Sequence, residues 1–223
     1  MPDGTLKLSR RAQRATALGV IANTVLAAVK GLAGVLGNSH ALLADAMESF
    51  LDVISSVVVL GSLRIAAAPP DENHPYGHGK AEPLAAFVVA LAMVAAALGL
   101  AIRSVSEIRT ESAVPASYTL VVLVLVILVK EGLYRSVSRV GKKVGSRAVI
   151  NDAWHHRSDA ITSVAALIGI SIAIAGGPAY SSADDWAALF ACGIIAYNGI
   201  QLMRPALDEV MDARVDPDIE KNV

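Results

Sequence analysis

The chain reads as long apolar stretches broken by short polar interruptions, and in several of them apolar residues occupy every face of a helix rather than one stripe. Runs of about 20 such residues are what an α-helix needs to cross the hydrocarbon of a bilayer. Charges, glycines and prolines bound six of them, at roughly 15–36, 40–64, 82–103, 118–134, 148–175 and 186–203. The pattern predicts an all-α integral membrane protein with six transmembrane helices, whose outer faces meet lipid rather than water.

Composition narrows the chemistry. Of 223 residues 54% are hydrophobic but only 4% aromatic, so the apolar excess is aliphatic, as in a membrane protein. Cys192 stands alone in an apolar run, which excludes an intramolecular disulfide framework and any multi-thiolate metal site. Six spans return the chain to the side on which it began. That side holds the basic segment from Lys7 to Arg14, the connections after the second and fourth spans, and the tail, with fourteen lysines and arginines against Arg103 and Arg109 opposite. By the positive-inside rule both termini are cytoplasmic, and the expected location is a bacterial plasma membrane. The basic start is not read as a secretory signal, because the apolar segment behind it is too long and lacks a convincing cleavage site. The expected division is a basic N-terminus (1–14), a six-span membrane domain (15–203) and a short cytoplasmic tail (204–223), too few residues to enclose a core of its own.

Carboxylates inside such spans are informative, since each costs about 2.5–3.5 kcal/mol at a helix centre on insertion scales. Span two carries Asp45, Glu48 and Asp52; span five carries Asp152, His155, His156 and Asp159. The segment DAMESFLDVISS from Asp45 aligns without gaps over DAWHHRSDAITS from Asp152, so Glu48 falls on His155 and Asp52 on Asp159. Both pairs are spaced i,i+4, which puts each on one helix face. Spans two and five run in opposite directions, and an antiparallel pair of related motifs is how an inverted repeat surrounds a midplane substrate site. Glu48, Asp52, His155 and Asp159 are therefore expected to form a four-ligand cage, with Asp45 and Asp152 placed to support it. Three carboxylates and one imidazole suit Zn²⁺ and accommodate Cd²⁺, Co²⁺, Fe²⁺ or Mn²⁺, whereas Cu(I) is disfavoured without sulfur ligands. The bland reading is a polar cluster that glues helices together. Three acids sharing one histidine are unbalanced in that reading. The same groups hold protons when metal is absent, so exchange of metal for protons is expected.

After span two, DENHPYGHGKAEP places Asp71, His74 and His78 beside Pro75 and Gly77. A turn there can converge three ligands, so a second, cytoplasmic metal site is expected, the bland reading being simple solvated polarity. Lys30 and the Lys130–Glu131 doublet are read as interhelical ion pairs, Arg157 as snorkelling or pairing with a carboxylate, and His40 as an interfacial residue. Gly31, Gly34 and Gly37 are read as permitting close helix contact.

Together SHALLADAMESFLD, DENHPYGHGKAEPLAA and DAWHHRSDA resemble the cation diffusion facilitator family, from about Gly19 to the tail. The resemblance implies the cation efflux transmembrane fold and a homodimeric antiporter that alternates between inward-open and outward-open states, moving zinc or a related metal outward against protons. It also implies a transport site at Glu48, Asp52, His155 and Asp159, and a loop site at Asp71, His74 and His78. At the Glu48 position the family usually carries His or Asp; glutamate adds reach and hardness. Members usually continue into a ferredoxin-like cytoplasmic domain. This sequence stops at Val223: either it is cut short of that domain or it is one of the short members lacking it, in which dimerisation is expected to rest on membrane contacts and loops. An enzyme is not expected: no H-E-x-x-H, G-x-S-x-G or phosphate-loop pattern occurs, and no organic cofactor is implied. The alternative is a metal-binding membrane subunit that does not transport. Nucleic acid is not an expected partner, because the basic residues lie where topology needs them and lack interleaved aromatics.

Overall fold

A computed structural model describes residues 20–110, 113–144 and 147–211; within them the side chains of residues 59, 60, 144, 147–149, 151, 152 and 155 are outside the description. The expected basic N-terminus and most of the expected tail lie outside the described residues. The described chain is helical, without strands: α1 (Val20–Leu36), α2 (His40–Ala66), α3 (Ala81–Arg109), α4 (Tyr118–Val144), α5 (Arg147–Gly176) and α6 (Ser182–Val210), with a short 3₁₀ turn at Gly177–Tyr180. The expected starts of spans two to five agree within one residue and α6 begins four residues early, but α3, α4 and α6 run past their expected ends into charged sequence. An amphipathic or polar extension costs nothing once the backbone leaves hydrocarbon.

Among the described residues, four helices are long and apolar enough to cross a membrane: α2, α3, the His156–Tyr180 stretch that includes most of α5, and α6. In α4 the apolar run ends at Lys130 and Glu131, and Arg135, Arg139, Lys142 and Lys143 follow on the same helix. The described apolar stretch of α1 is shorter, Val20–Leu36, and residues 15–19 of the expected first span are outside the description.

By contacts the chain divides into two units. The first holds α1, the start of α2 to Val53, the part of α3 from Ala97, α4, α5 and the start of α6 to Gly193; the second holds the remainder of α2, α3 and α6 with the loop after α2. In the first unit, Ala33, Ala41, Leu42, Leu123, Ala166 and Ile170 form the apolar core. Its polarity is reversed relative to a water-soluble protein. Leu36 and Leu128 are 74% and 63% exposed, while Lys30 and Lys130 are wholly enclosed. That distribution suits a bundle whose solvent is lipid.

The turn between α1 and α2 shows how the sequence sets this packing. Asn38 adopts φ 48°, a left-handed conformation that asparagine tolerates better than most residues. A Cβ at Gly34 would sit 3.0 Å from the Leu43 side chain, and one at Gly37 would collide with Thr119, so these glycines let α1 approach α2 and α4. Ser39 is the N-cap of α2: its Oγ accepts the Leu42 N–H at 3.1 Å. Asp184 on α6 completes the cap from outside. Its Oδ1 accepts the Ser39 hydroxyl at 2.7 Å, and its Oδ2 accepts the His40 and Ala41 N–H groups at 2.5 and 3.4 Å. Asp184 is 2% exposed, so these donors have no water to replace it. Asp184→Ala is expected to cost about 1–2 kcal/mol of stability, and Asp184→Asn less, because the amide oxygen still accepts. Thermal unfolding in detergent checks this; an unchanged midpoint for Asp184→Ala contradicts it.

Candidate metal site and its buried counter-charges

Core-facing positions of α4 recur at Leu123, Val126, Lys130 and Val137, all at most 1% exposed, so Lys130 occupies a place where an aliphatic residue would ordinarily pack. Its ammonium lies 2.5 Å from Asp159 Oδ2 on α5 and donates at 3.3 Å to Ser49 Oγ on α2. Lys30 does the equivalent from α1. It lies 2.9 Å from Asp45 Oδ2 and donates to the Asp45 carbonyl at 2.8 Å and to Ser49 Oγ at 2.7 Å. Asp45 is held further by Ser163 of α5, whose hydroxyl lies 2.9 and 3.0 Å from the two carboxylate oxygens. Ser49 thus takes both ammonium groups on one oxygen. A single polar network ties α1, α2, α4 and α5.

The structure gives the three expected ligands whose side chains are described different settings. Glu48 is buried beside this network, where the charges of Asp159, Asp45 and Asp52 on the acidic side and Lys30 on the basic side act on it. Asp52 is half-buried one turn further along α2. Asp159 is 3% exposed and faces Lys130. The side chains of His155 and Asp152 lie outside the description. Among the described residues, two groups of at least three potential ligands bring their atoms within 4.8 Å of one another: Asp71 with His74 and His78, and His40 with Asp184 and Asp185. Glu48, Asp52 and Asp159 are not such a group.

These lysines revise one argument made from the sequence. There the acids outnumbered their partners because only the histidine was counted; in the bundle Lys30 and Lys130 stand against Asp45, Glu48, Asp52 and Asp159. With all six ionised the formal charge left over is two negative units, a smaller excess than the sequence implied. The Lys130–Glu131 doublet divides. Lys130 faces inward and Glu131 pairs at 2.6 Å with Arg135 on the outside. Arg157 meets aromatic rings rather than a carboxylate among the described residues; its guanidinium lies 4.9 Å from the Tyr134 ring centroid and 5.3 Å from that of Trp154, and donates to the Tyr134 hydroxyl at 3.1 Å. His156 is buried at 2% exposure, among the helices rather than in water.

The loop triad, in the second unit, is built as a turn. Asp71 Oδ1 accepts the Asn73 and His74 N–H groups at 3.0 and 2.6 Å, an Asx-type arrangement, and Gly77 takes φ 85°. His74 Nδ1 lies 3.1 Å from Asp71 Oδ1, His78 Nε2 lies 3.4 Å from Oδ2, and the two imidazole centroids are 4.5 Å apart. The His74 N–H is the main reason that the Asp71 carboxyl stays below its ordinary range. One carboxylate and two imidazoles facing one another is a donor set suited to zinc and similar cations.

Sequence reasoning missed the group at the start of α2. His40 Nδ1 is 2.7 Å from Asp185 Oδ1, and Arg103 and Glu107 of α3 line the same cavity of about 330 Å³. The available signal was a serine N-cap before α2 and two aspartates in the first turn of α6. Asp184 already accepts three donors, so this group is better explained as a helix cap than as an ion site.

A helical bundle with lipid-facing aliphatic surfaces and an ionic interior defines a polytopic membrane protein. The chain belongs to the cation diffusion facilitator family: residues 16–211 match the cation efflux transmembrane domain. It is 35% identical over 206 residues to the manganese efflux system protein MneP of Bacillus subtilis (strain 168), covering 91% of this chain and 69% of that protein. It is 36% identical to metal tolerance protein 2 of Oryza sativa subsp. japonica, covering 93% of this chain and 59% of that one. It is also 36% identical to the magnetosome protein MamB of Magnetospira sp. (strain QH-2), covering 85% and 64%.

If the lysine–aspartate network stabilises the bundle as drawn, removing one member strands the other. Lys30→Met is expected to destabilise the protein by about 3–5 kcal/mol, with much of that loss recovered in the double variant Lys30→Met/Asp45→Asn. Unfolding in detergent across the four-member cycle measures it, and strictly additive effects contradict the pairing.

Proposed function

We propose that the chain moves a divalent transition-metal cation out of the cytoplasm, binding it with Glu48, Asp52, His155 and Asp159 between α2 and α5. The observation that carries this reading is the acidic excess in an apolar bundle: among the described side chains Asp45, Glu48, Asp52 and Asp159 outnumber the buried Lys30 and Lys130 by two, a formal excess that a divalent ion balances. The donor set of three carboxylates and one imidazole suits zinc and also harder ions, with Cd²⁺, Co²⁺ and Fe²⁺ within its range. Glu48 and the similarity to a protein named for manganese efflux make Mn²⁺ the second ion to test beside Zn²⁺. Carboxylates and imidazole that release metal take up protons, so the outward step is coupled to proton entry by alternating access. The protein works as a homodimer in a plasma membrane with both termini cytoplasmic, and Asp71, His74 and His78 collect metal on the cytoplasmic side for the inner site.

A second reading, a metal-binding subunit that does not transport, is favoured by one observation: Asp159 is paired with Lys130 rather than gathered with Glu48 and Asp52. Flux separates the two. In vesicles, Zn²⁺ or Mn²⁺ uptake is expected to fall at least about tenfold in Asp52→Ala and in Asp159→Ala. An imposed proton gradient is expected to drive the unmutated protein. Equal flux through all three proteins refutes the assigned site, indifference to the gradient refutes proton exchange, and binding without movement in the unmutated protein supports the subunit reading.

A further inference from the structure

The two buried lysines are held differently. Lys30 makes three contacts within 2.9 Å, two of them to Asp45 and one to Ser49, and Asp45 is also fixed by Ser163. That pair is a fastening between helices. Lys130 has one close partner, Asp159, and a longer contact to Ser49 at 3.3 Å. Asp159 belongs to the proposed ligand set, whereas Asp45 does not. The ammonium with fewer close contacts, held at 2.5 Å by a single carboxylate oxygen, is therefore the one that lies on a cargo ligand.

We propose that Lys130 is a tethered counter-cation of the transport site: its ammonium stands on Asp159 while the site is empty and is driven off when metal binds. This rests on reading Asp159 as a ligand. Asp159 cannot hold both at full strength, because a divalent ion bonded to the carboxylate would lie within a few ångströms of the ammonium in a low-dielectric interior, where like charges repel strongly. Lys130 has a positive charge at the end of a flexible four-carbon stem, so it can leave the oxygen without any helix moving. Two consequences follow for a carrier. The empty site reorients with one carboxylate fewer to leave bare in the bilayer, since the ammonium accompanies Asp159. Metal affinity is also held below what the four ligands alone would give, so the ion can leave on the far side; a site that binds too tightly does not release. The lysine slows nothing by blocking a path. It sets the difference between loaded and empty states.

The test compares Lys130→Gln, Lys130→Arg and Asp159→Ala with the unmutated full chain in vesicles, measuring KM and kcat for Zn²⁺ and Mn²⁺. Removing the tethered charge is expected to lower KM and kcat together in Lys130→Gln, each by about tenfold, while Lys130→Arg keeps both near the unmutated values. A merely structural lysine would lower kcat or yield without tightening KM. If Asp159→Ala loses flux but Lys130→Gln leaves KM unchanged or raises it, the counter-cation is overturned and the site reading stands. If Asp159→Ala transports normally, the site reading fails and the counter-cation with it. Because Lys130→Gln can misfold, the unmutated protein supplies an independent measurement: nitrogen NMR of ¹⁵Nζ-labelled lysine, with the Lys130 signal assigned by its loss in Lys130→Arg. Saturating Zn²⁺ is expected to shift that signal as the ammonium leaves Asp159, and a signal unmoved by Zn²⁺ overturns the proposal.

Discussion

In hydrocarbon an ammonium group without a partner costs more than any single packing contact returns, and Lys30 and Lys130 are both fully enclosed. Their pairing with Asp45 and Asp159 is therefore the condition that the rest of the first unit has to meet. Ser49 lies between them and accepts from both. For this to hold, α1, α2, α4 and α5 must keep one relative register, because rotating any of them by one residue, about 100° of helix, carries its polar group out of reach. Glycines at 34 and 37 and the cap on α2 serve that requirement: they bring α1 close enough for Lys30 to reach the α2 backbone.

Much of this was legible in the sequence where the signal was local. The apolar runs located the helices, and the i,i+4 spacing of Glu48 with Asp52 and of His155 with Asp159 put each pair on one face without any knowledge of the fold. Asp71, His74 and His78 lie within eight residues, and proline and glycine between them made a turn legible; the structure brings their ligand atoms within 4.8 Å. What could not be read were partnerships between distant segments. Lys130 and Asp159 are 29 residues apart, Lys130 and Ser49 are 81 apart, and Asp184 caps a helix that starts 144 residues earlier. A lysine in an apolar run signals that a partner exists; only the packing of helices identifies it. Arg157 illustrates the same limit, since its aromatic partners Tyr134 and Trp154 lie on two helices.

The lysines also change what the acidic cluster means. An argument from imbalance alone would treat every carboxylate as waiting for metal. With Asp45 fastened by Lys30 and Ser163, it becomes part of the frame, and the groups we propose to hold a cargo are Glu48, Asp52, His155 and Asp159, the last paired with Lys130. A buried ionic network can fasten helices and still bind an ion where one carboxylate stays fastened throughout: Asp45 keeps Lys30 and Ser163, while Asp159 exchanges Lys130 for the ion in the proposed cycle.

The central claim is that a divalent ion binds inside the bundle rather than only at the loop. X-ray absorption on Zn²⁺ bound to the variant Asp71→Ala/His74→Ala/His78→Ala tests it, since only the inner site then remains. The account predicts one bound ion per chain with four oxygen and nitrogen neighbours at about 2.0–2.2 Å, a single imidazole among them and no sulfur. Loss of all bound zinc on removing the loop triad, or a fully hydrated ion in its place, would contradict it.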